Sequence, residues 1–177
     1  PPRPGQTRTV AYSLPRPAAG STLSPGVHAS VLARRDPTRA WRIFRDSLAA
    51  DLDDTQGGTT SEGIHLGAMA GTVDIITRSF AGFRTQDDTL TFDPQLPHGL
   101  RRAQFQVAHR GQRIDVSIDH QSLQLPGHPC TANPRVLVIG AGAAATLPGG
   151  QTCDFPPAPH AIARPARDIP PVYPGSA

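Results

Sequence analysis

Two short stretches carry side chains suited to holding an anion. Ser21-Thr22-Leu23-Ser24, followed by Pro25, combines hydroxyl caps with a first-turn proline, the pattern of a helix start. Thr59-Thr60-Ser61-Glu62 places Thr59 and Glu62 at the spacing of a capping box. A helix start leaves amide hydrogens unpaired and carries the positive end of the helix dipole, so each stretch favours a phosphate or a carboxylate. His65 follows one turn later and can add a donor or a positive charge to the same anion. Read singly, these residues fit ordinary caps and a packed histidine better than an anion site.

Other groups able to do chemistry are better explained otherwise. Glu62 is the chain's one glutamate, and the capping box accounts for it without a catalytic role. Asp51, Asp53 and Asp54 suggest calcium, but Thr55 stands where a carboxylate or amide ligand is needed, so a helix-terminal turn explains them better. Cys130, Cys153, His128 and His160 lack paired zinc spacing, and the two cysteines read as free thiols. Arg135 to Ala145 spells a strand followed by the letters of a dinucleotide-binding turn. That turn must open a helix, and Pro148-Gly149-Gly150 stops one almost at once, so a closing β-hairpin is expected there.

The elements that must position these residues follow from periodicity. A first helix is expected from the Ser21 region through Val27, Val31 and Leu32 to about Arg35. Asp36-Pro37 opens a second, with Trp41, Phe44, Leu48 and Leu52 as its apolar face. A third is predicted from Thr59 to about Phe80, with Gly63, Gly67 and Gly71 making one face nearly flat for packing against its neighbours. After Gly82 the period becomes two, in Leu90 and Phe92, then Phe105 and Val107, then Ile114, Val116 and Ile118, then Leu123 and Leu125. His109-Arg110-Gly111 separates two of these runs at hairpin distance, and Val136 to Ile139 reads as one more strand. A small antiparallel β unit therefore follows three helices.

The 20 prolines of the 177 residues crowd both ends, which resists packed structure there. Every basic residue is arginine, and the net charge of +3 is scattered apart from Arg34-Arg35 and Arg101-Arg102. That pattern is a solvated surface rather than a nucleic-acid footprint. No apolar run approaches the roughly twenty residues of a membrane span, and residues 1 onward lack a signal-peptide core, so a cytoplasmic setting is expected.

Taken jointly, three segments carry a family resemblance: Gly20-Ser21-Thr22-Leu23-Ser24-Pro25 with His28; Asp51-Leu52-Asp53-Asp54-Thr55-Gln56-Gly57; and Glu62-Gly63-Ile64-His65-Leu66 through Met69-Ala70-Gly71-Thr72. Their order and spacing resemble the last catalytic-domain helices of glycoside hydrolase family 65, which includes maltose, trehalose and kojibiose phosphorylases. Phe80-Ala81-Gly82-Phe83-Arg84, Leu90-Thr91-Phe92-Asp93-Pro94 and Leu96-Pro97 resemble that family's passage into its C-terminal β domain, and Arg110-Gly111-Gln112 fits a hairpin there. The resemblance covers Gly20 to Leu125 and extends more loosely to Gly150, while residues 1 to 17 do not share it.

The resemblance implies an α+β chain: the last helices of an (α/α)6 barrel, then a small antiparallel β-sandwich, with proline-rich irregular tails. The expected divisions are an irregular segment at 1–19, barrel helices at 20–82, a β-sandwich at 83–150 and a tail at 151–177. It also implies the chemistry of inverting phosphorolysis of α-glucosidic disaccharides to β-glucose 1-phosphate. Ser21, Thr22 and His65 match the family's phosphate-contacting positions, with inorganic phosphate as co-substrate and no cofactor or metal. His28 reads as packing. No catalytic residue lies in this chain, because the family's catalytic acid lies upstream of the matched segments. A partial gene product, inactive alone, is therefore expected, with homodimers in complete members and the faces around Trp41, Phe44 and Ile76 lacking barrel partners. The alternative is a non-catalytic remnant that binds an anion or a partner.

Overall fold

The structure, a computed structural model, describes residues 21–55, 57–87, 89–129, 136–140 and 143–156. The expected segment 1–19, Cys130, Arg135, His160 and the tail beyond 156 lie outside the described residues. The backbone divides into two units between Thr72 and Val73. No helix among the described residues is long and apolar enough to cross a membrane.

In the first unit, helix α1 spans Leu23–Leu32 and packs against α2, Pro37–Ala49. Asp36 caps α2: its Oδ1 accepts a hydrogen bond from the Arg39 amide at 2.9 Å, and Pro37 presets the first turn. The buried face of α2 is Ala40, Ile43, Phe44 and Ser47, not the expected Trp41, Phe44, Leu48 and Leu52. The three-and-four spacing holds but is centred one residue earlier, and Leu48 and Leu52 are exposed. Two of these four, Ala40 and Ser47, are small, and the Ser47 hydroxyl donates to the Ile43 carbonyl at 3.1 Å.

The predicted third helix is broken. Thr59–Glu62 forms only a 3-10 turn, the chain opens at Gly63 with φ of 138°, and helix α3 begins at Leu66 and runs to Asp74. The capping box does not form, because Gly58 rather than Thr59 holds the cap position and it carries no side-chain bond. Gly67 alone of the three glycines meets a neighbour: nothing lies within 4 Å of a Cβ built at Gly63 or Gly71. The flat packing face is thus a single contact.

In the second unit the helix widens to a π-helical stretch over Ile75–Phe80, closed where the Phe83 amide donates to the Thr77 carbonyl at 3.0 Å. Eight strands follow: β1 Arg84–Gln86, β2 Thr89–Phe92, β3 Arg102–His109, β4 Gln112–Asp119, β5 Leu123–Pro126, β6 Val136–Gly140, β7 Ala143–Leu147 and β8 Thr152–Phe155. They form two four-stranded sheets, ordered β1-β2-β6-β7 and β3-β4-β5-β8. Arg110 and Gly111, both at positive φ, make the expected two-residue hairpin turn between β3 and β4. The closing hairpin is also as expected, with β6 antiparallel to β7 from Val136 opposite Leu147 to Gly140 opposite Ala143.

Two features depart from expectation. Strand β2 pairs with β6 in parallel, so the first sheet is mixed while the second is wholly antiparallel. Strand β8 lies past residue 150, within the expected tail, and pairs with β5. The core of this unit gathers Leu90, Phe92, Ile114, Val116, Ile118, Leu123, Leu125, Val138, Leu147 and Phe155. Gly140 of β6 lies against β5 and β8, and a Cβ there would stand 2.8 Å from Leu123 Cδ2 and 3.0 Å from Phe155 Cγ. Gln112 continues the buried face of β4 although polar, and donates to the Pro148 carbonyl at 3.4 Å.

Candidate functional site

The predicted anion-binding residues all fall in the first unit, at the starts of α1 and α3. Ser21 Oγ accepts from the Leu23 amide at 3.3 Å, and its carbonyl accepts from Ser24 at 3.3 Å. Thr22 occupies the cap position with a helical backbone and makes no side-chain cap bond. The expected hydroxyl cap is therefore Ser21, and the Thr22 hydroxyl is not spent on the helix. Both residues are half-buried.

His65 stands immediately before α3 rather than one turn inside a helix. Its carbonyl accepts from the amides of Ala68 at 2.9 Å and Met69 at 3.1 Å, which makes it the cap residue of α3. Asp51, just beyond the end of α2, takes hold of it twice. The His65 amide donates to Oδ2 at 2.9 Å, and ring Nδ1 lies 2.5 Å from Oδ1. An ionised carboxylate only accepts, so Nδ1 carries the hydrogen. The bond from the His65 ring, together with its amide, holds the Asp51 carboxyl below the usual carboxylate range, against the smaller opposing effect of burial. The other ring nitrogen, Nε2, lies 3.5 Å from Thr59 Oγ1, at the outer limit of a hydrogen bond.

The second predicted helix start is already filled from within. Asp54, at a left-handed φ of 45°, accepts from the Gly58 amide at 2.7 Å and from the Thr60 amide at 3.3 Å. The Thr60 amide is the main cause that lowers the Asp54 carboxyl below its usual range. Of the amides expected to cradle a ligand at Thr59-Thr60-Ser61, that of Thr60 therefore has a carboxylate of the same loop for a partner. Asp51 and Asp54 spend their oxygens on donors of this chain, as the helix-terminal-turn reading of the acidic cluster expects. Glu62 is exposed on the 3-10 turn.

The starts of α1 and α3 lie side by side. A Cβ built at Gly67, the second residue of α3, would sit 3.4 Å from Leu23 Cδ2, the first residue of α1. That contact brings the Ser21-Thr22 segment and His65 to the same end of the helix pair. His28 is half-buried further along α1, and burial, with the nearby Arg39 guanidinium, pushes its imidazole below the ordinary histidine range. Its Nδ1 is buried and finds no partner among the described residues.

Sequence reasoning singled out His65 and the hydroxyl groups but missed Asp51 as the partner of His65. The pairing spans a broken loop, so no local spacing announces it. The remaining candidates lie in the second unit. Cys153 is a free thiol, pushed up by burial, with Sγ 3.8 Å from the Thr146 carbonyl. His128 Nε2 pairs with Asp115 at 2.8 Å.

Comparison with known proteins matches residues 4–74 to the central catalytic domain of glycosyl hydrolase family 65, which corrects the expectation that residues 1 to 17 lie outside the resemblance, and residues 83–131 to the C-terminal domain of the same family. An uncharacterized glycosyl hydrolase of Mycobacterium tuberculosis is 43% identical over 71% of this chain and 10% of that protein. Trehalose 6-phosphate phosphorylase of Lactococcus lactis is 32% identical over 64% of this chain and 15% of its own length. The chain thus spans about a tenth to a seventh of these relatives. Among solved structures, a putative kojibiose phosphorylase from the human microbiome shares the fold, with a TM-score of 0.75 at 21% identity over 89% of this chain and 22% of that one. Both matched domains and these relatives lead to one conclusion: the chain belongs to glycosyl hydrolase family 65 and carries the passage from its central catalytic domain to its C-terminal domain.

Proposed function

We propose that this chain supplies the phosphate-binding part of the active site of a family 65 phosphorylase acting on an α-glucosidic disaccharide. The observation that carries the reading is the Leu23–Gly67 contact between the starts of α1 and α3, since Ser21 and Thr22 immediately precede the one and His65 the other. The aligned dipoles at both starts favour a dianion, and the hydroxyls and imidazole supply the donors. The names of relatives agree in kind, since they include a trehalose 6-phosphate phosphorylase and a maltose phosphorylase.

In the reaction, an acid outside this chain gives its proton to the glycosidic oxygen. A phosphate oxygen then forms the new bond to the anomeric carbon as the old carbon–oxygen bond breaks. The role of Ser21, Thr22 and His65 is to hold phosphate in line against solvent. Exposed Glu62 has no part in it, so the chain alone turns over no disaccharide. The second reading, a binding module without catalysis, draws on the exposed apolar stripe of α1 at Leu23, Val27 and Val31.

The test joins this chain to the rest of a family 65 catalytic domain. His65→Ala should raise the KM for phosphate about tenfold or more, the cost of removing a donor from a charged partner, while the KM for disaccharide stays close to wild type. An unchanged phosphate KM would remove the site assignment and leave family membership intact.

A further inference from the structure

We propose that Asp51 is the positioning residue of this anion site, setting both the orientation and the tautomer of His65; the inference rests on the phosphate reading above. Three observations carry it. The two oxygens of one carboxylate are divided between the backbone amide and the ring Nδ1 of the same histidine, 14 residues away. The Asp51 side chain is only 9% exposed, whereas the ring it grips is 27% exposed. The neighbouring amides of Gly58 and Thr60 are taken by Asp54, while His65 Nε2 lies beside the Thr59 hydroxyl on the side of the ring away from Asp51.

A carboxylate that accepts Nδ1–H leaves Nε2 as the ring's one ligand-facing nitrogen. Against an anion, Nε2 serves best with a hydrogen of its own, so a phosphate bound there favours the imidazolium, with Asp51 as its counter-ion. Asp51 and Asp54 are the charged groups acting on this ring. Because the His65 amide can only donate, an asparagine at position 51 must turn its oxygen toward that amide and its NH2 toward Nδ1. The ring of Asp51→Asn is then forced into the opposite tautomer, with hydrogen on Nε2.

The experiment is nitrogen-15 spectroscopy of histidine side chains in the full 177-residue chain, with inorganic phosphate as the probe. In the wild type, His65 is expected as the Nδ1–H tautomer, and phosphate should move Nε2 toward its protonated shift. Asp51→Asn should show Nε2–H before phosphate is added and bind it about tenfold more weakly, the loss expected when an ionised partner is removed. Asp51→Glu, which keeps the carboxylate, should recover the wild-type tautomer at least in part, and it decides the matter if Asp51→Asn fails to fold. An Asp51→Asn ring with the wild-type tautomer and phosphate response would overturn the positioning role alone. A wild-type His65 that ignores phosphate while the tautomer still switches in Asp51→Asn would overturn the phosphate reading, and the role at an anion site with it.

Discussion

Leu23 Cδ2 lies over Gly67, 3.4 Å from where a Cβ would stand, and this contact places the starts of α1 and α3 together. The distance is ordinary van der Waals contact, so an alanine fits without displacing Leu23. Gly67→Ala should leave stability unchanged or raise it by up to about 0.5 kcal/mol, because glycine is the poorer helix former. Gly67→Phe should separate the two starts and weaken phosphate binding without unfolding the chain. Denaturant unfolding of both variants, with a phosphate titration of the second, checks the pair.

Gly140 should be far less tolerant. A methyl there meets Leu123 at 2.8 Å and Phe155 at 3.0 Å, both buried in the core of the second unit. Gly140→Ala should cost about 1–3 kcal/mol by overpacking. A variant as stable as wild type in urea would show that the two sheets separate easily.

Helix α2 depends on its cap. Asp36→Ala removes the acceptor for the Arg39 amide and should cost about 1 kcal/mol, with Asp36→Ser recovering most of it. Equal stability of all three proteins would show that Pro37 alone sets the helix start.

Acidification should weaken the first unit in two steps. The His28 imidazole is held below its ordinary range in the fold, so the unfolded chain binds that proton more readily, and stability falls as pH drops below about 6.5. Asp51 and Asp54 are also lowered, so the stability they contribute is present above about pH 4 and lost as pH falls further. His28→Leu should flatten the first step and leave the second. Unfolding measured from pH 7.5 down to pH 3 in both proteins separates them.

The exposed stripe of α1, with Leu23 at 53%, Val27 at 60% and Val31 at 44%, should drive association of the chain by itself. This stripe replaces the expected faces around Trp41, Phe44 and Ile76, since Phe44 is buried and Trp41 and Ile76 are half-buried. Val27→Gln with Val31→Gln should shift light scattering toward monomer. Unchanged scattering would place the association elsewhere.

Where a pattern is written into neighbouring residues, the sequence by itself determined the outcome. The alternation of Ile114, Val116 and Ile118 made a half-buried strand, Arg110-Gly111 made its turn, and Asp36-Pro37 opened a helix, because a strand's period, a tight turn and a cap are each settled within a few residues. Ser21, Thr22 and His65 stood out through an ordered set of motifs rather than any single one. Tertiary structure alone decided the rest. The parallel pairing of β2 with β6 depends on a partner 48 positions on, as Thr89 opposite Leu137 shows, and the one-residue rotation of α2 depends on what α1 presents to it. The break before α3 and the grip of Asp51 on His65 share one cause. A part-buried carboxylate that satisfies an amide and a ring nitrogen together takes the place of local capping at Thr59, and spacing along the chain gives no sign of such long-range bonds.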